Sequence, residues 1–445
     1  MEISGWGQYP RHTATIIEPP SAGDVQTALR QSADLPLITR GRGKSYGDSS
    51  LANSVLSSRL LDNYISLDQN NLKLQCGAGI TLGSILELIV PLGAFLPVLP
   101  GTRHVSAGGA LAADIHGKNH HGKGSFSDHV DSFRLCLANG EIKQCSRTRN
   151  KKLFAATCGG MGLTGIVLDM TLKLLPIGND QINNRTVVSK NLDESLALLA
   201  EHSSSEYVVS WIDCLAKGDA LGRGVVFVGE HATGQESGKT GRPPGLSIPV
   251  PFHTPGLLLN RYSMSLFNNT YYGLHNKSQP DQQVHYERYF FPLDRIQSWN
   301  RLYGRRGFLQ YQLVLPLPAA KEGIRQILER VADAGKGSFL AVLKQFGPGN
   351  DNYLSFPCEG ITLTLDFKKE ASVFGLLEEL DKIVLAHQGR LYLAKDARMT
   401  AETFKACYPN WEEFLAVKQQ VDPDNRFASL QSDRLGLTPA RNTRS

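Results

Sequence analysis

The sequence predicts an α+β protein built from two domains. Its 445 residues exceed what one hydrophobic core usually organises. The first 180 residues alternate helix-like and strand-like segments and carry glycine clusters at 41–48, 100–124 and 158–165. Beyond about residue 180 the texture shifts to sheet strands with helices between them.

In the first stretch AGDVQTALRQSA (22–33) reads as a helix and LPLIT (35–39) as a short buried strand. LKLQCGAG (72–79) is strand-like, and TLGSILELIVPLG (81–93) is helical with Thr81 as N-cap. VDSFRLCLANGEIKQCS (130–146) alternates around Asn139-Gly140, the pair favoured in two-residue hairpin turns. GLTGIVLDMTLKLLP (162–176) alternates as a further strand that stops at Pro176. In the second stretch VVSWIDCL (208–215), GRGVVFVG (222–229), FLQYQLVLPLP (308–318), GSFLAVLKQF (337–346) and GITLTLDFK (360–368) read as strands. AAKEGIRQILERVADAG (319–335) is a helix with Ile324, Ile327, Leu328 and Val331 on one face. A last helix opens at Trp411 and ends before the Pro423-Asp424 turn. Residues 231–256, rich in glycine, proline and serine, read as a long loop.

Composition excludes several classes. A formal charge of +5 over this length is too weak to imply nucleic acid. Seven scattered cysteines without C-x-x-C spacing support neither a disulfide framework nor a zinc ribbon, and suit a reducing compartment. The first residues lack a basic-then-apolar signal, and the most apolar run, 85–100, is broken by Glu87 and three prolines. A cytoplasmic location, or one peripheral to a membrane, is expected.

The motifs narrow the field further. Gly160, Gly162 and Gly165 spell G-x-G-x-x-G, but a strand-like run follows them where a dinucleotide fingerprint needs a helix. His116 and His120 are four apart, yet the glycines between and after them oppose a helix, and Lys118 and Lys123 would repel a cation. No metal is expected. No G-x-S-x-G elbow supports a hydrolase. Glycine, lysine and imidazole together suit an anionic or electron-rich ligand, approached closely by backbone amides.

The order GRGKSYGD (41–48), CGAGITLGSILELIVPLG (76–93), LPVLPGT (96–102), GGALAADIHGKNHH (108–121) and GGMGLTGIV (159–167) resembles the FAD-binding domain of the vanillyl-alcohol-oxidase-type flavoproteins. The resemblance continues through 291–316, 342–357, 391–409 and 421–429, which are similar to a branch of that family acting on polyprenyl-phosphate pentoses. It implies a two-domain vanillyl-alcohol-oxidase/PCMH-type FAD-binding fold with an antiparallel-sheet substrate domain. The implied division is 1–179 for FAD, 180–389 for substrate, and 390–445 returning to the FAD domain.

By the same resemblance Arg40, Gly41, Arg42, Gly43, Lys44, Ser45, Tyr46 and Gly47 form one cofactor wall. Pro100, Gly101 and Thr102 with Ser106, Ala107, Gly108 and Gly109 form the other. Asp114, Ile115, His116, Gly117, Lys118 and Asn119 pass beside the flavin ring, Ile166 lies near the adenine, and Tyr392 and Lys395 also contact FAD. One or two of the five histidines at 104–129 are expected to be mere packing or surface. Lys44 stands where many relatives carry the histidine that binds flavin covalently, so FAD is expected to be noncovalent. Lys395, Tyr46 and His116 are the catalytic candidates. Lys344, Gln312, Lys395, Thr364 and Tyr311 are the substrate-binding ones, with Gln310 beside them. Thr364 replaces a pocket cysteine of the family.

The implied reaction oxidises the 2-hydroxyl of a polyprenylphosphoryl-β-D-ribose to the 2-keto sugar. A short-chain NAD(P)H-dependent reductase would complete the epimerisation to an arabinose donor for cell-wall biosynthesis. Residues 231–284 are expected to be mobile loops over the substrate site, suited to a lipid tail and to peripheral membrane contact. Two rivals are a flavoenzyme acting on a soluble sugar, alditol or aldonolactone, and a flavin-retaining binding protein without turnover.

Overall fold

The computed structural model describes residues 1–31, 36–234, 248–255, 258–276 and 281–439. Parts of the expected first helix, first strand and long loop (32–35, 235–247, 256) lie outside the described residues.

Among the described residues, strands Thr15–Ile17, Ser54–Ser57 and Leu37–Arg40 form a small parallel sheet with Ser54–Ser57 central. Helix Ala22–Gln31 buries Val25 and Leu29 in a cluster with Leu37, Leu56, Ile166 and Phe427. A five-stranded antiparallel sheet follows, in the order Ile142–Ser146, Val130–Cys136, Ile166–Lys173, Lys73–Gly77, Tyr64–Asp68. One face of its central strands is apolar and buried (Leu74, Cys76, Phe133, Leu135, Met170, Leu172), while Lys73, Gln75, Ser132, Arg134 and Thr171 alternate with them on the other, less buried face. Helix Leu82–Ile89 starts where the Thr81 side chain accepts the Ser84 N–H, and its 3-10 extension ends at Gly93 with φ 75°.

The second sheet has eight antiparallel strands: Asp281–His285, Gln181–Ser189, Gly224–His231, Tyr207–Ile212, Ala341–Phe346, Gly360–Lys368, Phe308–Pro316, Arg390–Leu391. Helices Leu317–Ala334, Ala371–Ala386 and Leu192–Glu201 cover one face. The other faces the first domain. The fold is α+β, with the C-terminal segment lying back on the N-terminal sheet: Leu37 bridges Phe427, and Arg434 pairs with Asp48.

Two elements differ from expectation. Leu137 N–H donates to Glu141 O at 2.8 Å, so the hairpin loop has three residues, Ala138 to Gly140, with Gly140 at φ 84°. A left-handed residue in third place makes the Asn-Gly pair part of a bulged turn. Arg261–His275, within the expected mobile loops, is a helix capped at Asn260. Its apolar residues escape a one-face reading because they point both ways, Met264 inward and Tyr262, Leu266 and Leu274 outward.

Candidate active site

A cavity of about 1210 Å³ opens between the two domains. Pockets for one small molecule usually hold about 300–1,000 Å³, so this one has room for a cofactor and a substrate together.

Its floor is a single face of the eight-stranded sheet. Side chains alternate along a strand, so register decides which residues share that face. Gln312 lies opposite Thr364, Gln310 opposite Asp366, Val342 opposite Thr364 and Lys344 opposite Thr362. Trp211 lies opposite both Val342 and Val225. The cavity is accordingly lined by Gln310, Gln312, Thr364, Val342, Lys344 and Trp211. Tyr311 is one residue out of step. Its hydroxyl donates to Asp381 at 3.0 Å on the helical side, so it is corrected from a substrate contact to a support between sheet and helix.

The opposite wall is glycine-rich. Gly41 to Tyr46, Pro100 to Thr102, Ser106, Gly108, Gly109, Ile115, His116, Gly117, Lys118, Tyr392 and Lys395 line the cavity. Six other expected contacts stand behind that wall. Arg40 braces the loop from beneath, donating to Ser4 O at 2.6 Å and Ser50 Oγ at 3.0 Å. Gly47 is there for packing, since a Cβ would lie 1.9 Å from Asp396 O. Ala107 is fully buried in the core. Asp114, buried at φ 39°, accepts from Ser127 N–H, Asn350, Asn352 and Ser355 and so anchors the turn before His116. Asn119 donates to Pro97 O at 2.8 Å. The Ile166 side chain enters the Val25–Phe427 cluster, while Gly165 and Val167 flank the cavity.

The first wall fits a dinucleotide. Thr39 Oγ1 and Arg42 Nε are buried beside the cavity with no partner among the described residues, an arrangement that ligand oxygens would satisfy. A Cβ built on Gly101 meets nothing within 4 Å, so backbone there lies open to a ligand. Gly43, at φ 63°, turns the chain over the Arg40 guanidinium.

The end of the 41–47 loop meets the floor at Tyr46. Tyr46 N–H donates to Ala394 O at 2.9 Å, and Lys395 Nζ stands 4.0 Å over the Tyr46 ring. Behind them the fully buried Asp366 accepts from Gln310 at 2.5 Å and from Tyr303 at 3.2 Å. Burial pushes its carboxyl up to about 7, with Gln310 opposing. Desolvation lowers Lys395 to about 8 against the pull of Asp366. It lowers Lys344 to about 7 with help from Lys395, and Lys118 to about 7 with help from Lys344.

Of the five clustered histidines, His104 and His116 line the cavity. His120 packs on Phe346, while His121 and His129 bond the carbonyls of Ser205 and Lys123. Three are packing or surface, not one or two. His116 is enclosed by Phe346, Phe356 and Tyr392 at 4.7–5.8 Å between ring centres. Burial first, and Lys344 second, hold it well below the usual imidazole value.

Sequence reading missed Asp366 and Thr362, although they sit at spacings of two from Thr364 on one strand. It also missed an aromatic arm of the cavity, contributed by Trp211, Phe227, Tyr271, Tyr289 and Phe290. These come from two strands and from the helices Arg261–His275 and Tyr286–Phe290, and converge only in the folded chain.

Comparison with known proteins agrees with this geometry. Residues 13–146 match the family model of an FAD binding domain, and residues 360–435 that of D-arabinono-1,4-lactone oxidase. The chain is 36% identical to decaprenylphosphoryl-beta-D-ribose oxidase of Mycolicibacterium smegmatis, over 98% of this chain and 97% of that one. It is 34% identical to an uncharacterized protein in the mprA 5′ region of Streptomyces coelicolor, over 80% of this chain and 100% of that one. L-gulonolactone oxidase of Bos taurus is 22% identical over 84% of this chain and 83% of its own. With a dinucleotide wall that an FAD-domain model covers, and a likeness to one oxidase from end to end, the chain is an FAD-dependent oxidoreductase of the decaprenylphosphoryl-β-D-ribose oxidase family.

Proposed function

We propose that the protein oxidises the 2-hydroxyl of a polyprenylphosphoryl-β-D-ribose to the 2-keto sugar. One observation carries the reading. Lys118, Lys344 and Lys395 converge, with Asp366 behind Lys395, on a cavity whose other arm is aromatic. An anionic head on an apolar tail complements such a site.

Bound FAD supplies the acceptor for the hydride leaving the carbinol carbon. Gly41 to Ser45, Gly101 and Thr102 would hold its diphosphate through backbone N–H groups, with Tyr46 and Pro100 shaping the two loops and no covalent bond, Lys44 standing over the Trp6 ring instead. Lys395 places positive charge at the flavin edge, where reduction deposits negative charge. Gln312 and Lys344 hold the sugar hydroxyls, while Lys118 and Arg288 take the phosphate. Trp211, Phe227 and Tyr271 receive the first isoprene units and keep water from the reacting carbon. The ketone then passes to a short-chain NAD(P)H-dependent reductase, which returns a hydride to the opposite face.

Peripheral contact with a membrane fits the same substrate. Residues 237–280 contain no Asp or Glu and carry Lys239, Arg242, Arg261 and Lys277. Phe252, Leu258, Tyr262, Leu266 and Leu274 are exposed there together with Arg261, an apolar surface next to the aromatic arm. No helix among the described residues is long and apolar enough to cross a membrane.

The lactone-oxidase likeness over 360–435 favours a soluble sugar lactone as the second reading. Anaerobic mixing separates the two. A short-chain polyprenylphosphoryl-β-D-ribose is expected to bleach the flavin at least about a hundredfold faster than any alditol or aldonolactone. Fast bleaching by the soluble compounds alone would reverse the assignment.

A further inference from the structure

Oxidising an alcohol requires a group that takes the hydroxyl proton, and the hydrogen bonds around His116 specify one. Thr362 Oγ1 donates its only proton to Leu313 O, 2.7 Å away. It can therefore only accept from Gln312 Nε2, at 3.2 Å. That bond fixes the amide's orientation, so the same NH₂ group faces His116 Nε2 at 3.0 Å. His116 Nε2 is then the acceptor, and the imidazole proton resides on Nδ1. Lys344 Nζ stands 3.2 Å from that Nδ1. An ammonium cannot accept an N–H, whereas a neutral amine can. The Gly117 backbone also engages this imidazole, and Lys344, with its pKa lowered to about 7, can accept from Nδ1 in its neutral form.

We propose that His116 and Lys344 form the proton-accepting dyad of this enzyme. The C2 hydroxyl donates to His116 Nε2, the lone pair that Gln312 otherwise engages. As the O–H bond breaks, a bond forms to Nε2, and the Nδ1 proton moves to Lys344 Nζ. The electron pair of the C2–H bond leaves as hydride to FAD, the carbonyl forms, and the proton ends as the third hydrogen of an ammonium. The oxidant and substrate are those of the function proposed above, on which this step rests. An amine thus stands where better-known histidine bases have a carboxylate, because its resting state is neutral and its final state charged.

The groups facing the dyad determine when it is ready. Lys395 on the 392–396 turn and Lys118 beside Gly117 disfavour a charge on Lys344, as does burial. His120, turned toward Phe346, stays neutral, lowered to about 3 by burial and Lys344. Asp366 lies farther along the floor, engaged by Gln310 and Tyr303. Phe346, Phe356 and Tyr392 contribute no charge at neutral pH.

The test uses holoenzyme and anaerobic stopped flow with a short-chain polyprenylphosphoryl-β-D-ribose. Wild-type flavin reduction should fall on the acid side with an apparent pKa near 7. Lys344→Arg keeps N–H donors for the sugar hydroxyls but cannot become neutral. It should bind the sugar within about threefold of wild type, yet reduce flavin at least about a hundredfold more slowly, without the acid limb. A Lys344→Arg enzyme with wild-type rate and limb would make Lys344 an anchor and overturn the dyad. Independently of turnover, ¹⁵N-histidine NMR of wild type should show His116 protonated on Nδ1, moving toward Nε2 in Thr362→Val. Finding it on Nε2 in wild type would also overturn the proposal. If no polyprenylphosphoryl sugar reduces wild-type flavin, the substrate reading fails, and the NMR tautomer still judges the dyad.

Discussion

Lys344 loses hydration where it enters the cavity, and its ammonium form loses most. Its folded pKa of about 7 lies below the 10.5 of a free lysine, so the unfolded chain binds more protons between those values. Stability contributed by this residue therefore rises with pH across that window and is lowest at and below neutrality. Lys344→Met should accordingly be more stable than wild type at pH 7, by about 1–3 kcal/mol allowing for screening across the open cavity. The gap should close as pH approaches 10, while flavin reduction is lost. Thermal unfolding of both apoproteins at several pH values checks this. A variant no more stable at pH 7 would mean that the amine is better solvated than its surroundings suggest. At this scale the sequence was legible through type and failed through direction. Gln310, Gln312, Thr364 and Lys344 carry polar chemistry on strands and do face the cavity. Tyr311 carries similar chemistry and faces away, because eight of the nine residues of Phe308–Pro316 are buried and nothing in their polarity marks a side.

At the scale of elements, glycines do two different jobs, and substitution separates them. A methyl on Gly101 meets no protein atom within 4 Å, whereas one on Gly47 runs into Asp396 O at 1.9 Å. Gly101→Ala should leave apoprotein unfolding unchanged and weaken FAD retention. Gly47→Ala should lower the stability of the apoprotein itself by about 1–3 kcal/mol, since loop and 392–396 turn must part. Flavin content per protein and apoprotein melting together decide between the two. The sequence showed that glycines cluster, but not which face a ligand and which a neighbouring chain segment. Spacing decided the regular elements: the Thr81 cap and the Val130–Ser146 hairpin were readable from local chemistry. The Arg261–His275 helix was not, because its inward residues serve a cavity and its outward ones are apolar too.

At the scale of the whole molecule, helix Arg261–His275 lines the cavity with Tyr271 and His275 and exposes Leu266 and Leu274. Vesicles containing anionic lipid should carry the protein upward in a flotation gradient, and neutral vesicles should do so weakly. Replacing both Leu266 and Leu274 by Glu should abolish flotation while leaving turnover of a short-chain substrate within about twofold, since neither residue lines the cavity. Flotation that survives the double change would move the contact elsewhere. The two-domain organisation was legible in length and texture. The cavity between the domains was legible only as chemistry awaiting an arrangement, because its lining is drawn from residues more than three hundred positions apart.

Leu37 receives its edge partner from Phe427, and the carboxylates of Asp48 and Asp396 share the guanidinium of Arg434. Those partners are synthesised several hundred residues after the loop they steady. A nascent chain therefore presents its nucleotide cradle unsupported until residues 427–434 have emerged. Loading with flavin becomes an event that follows their synthesis, and the vitamin acts as a seal on a closed cradle, not a template for an open one.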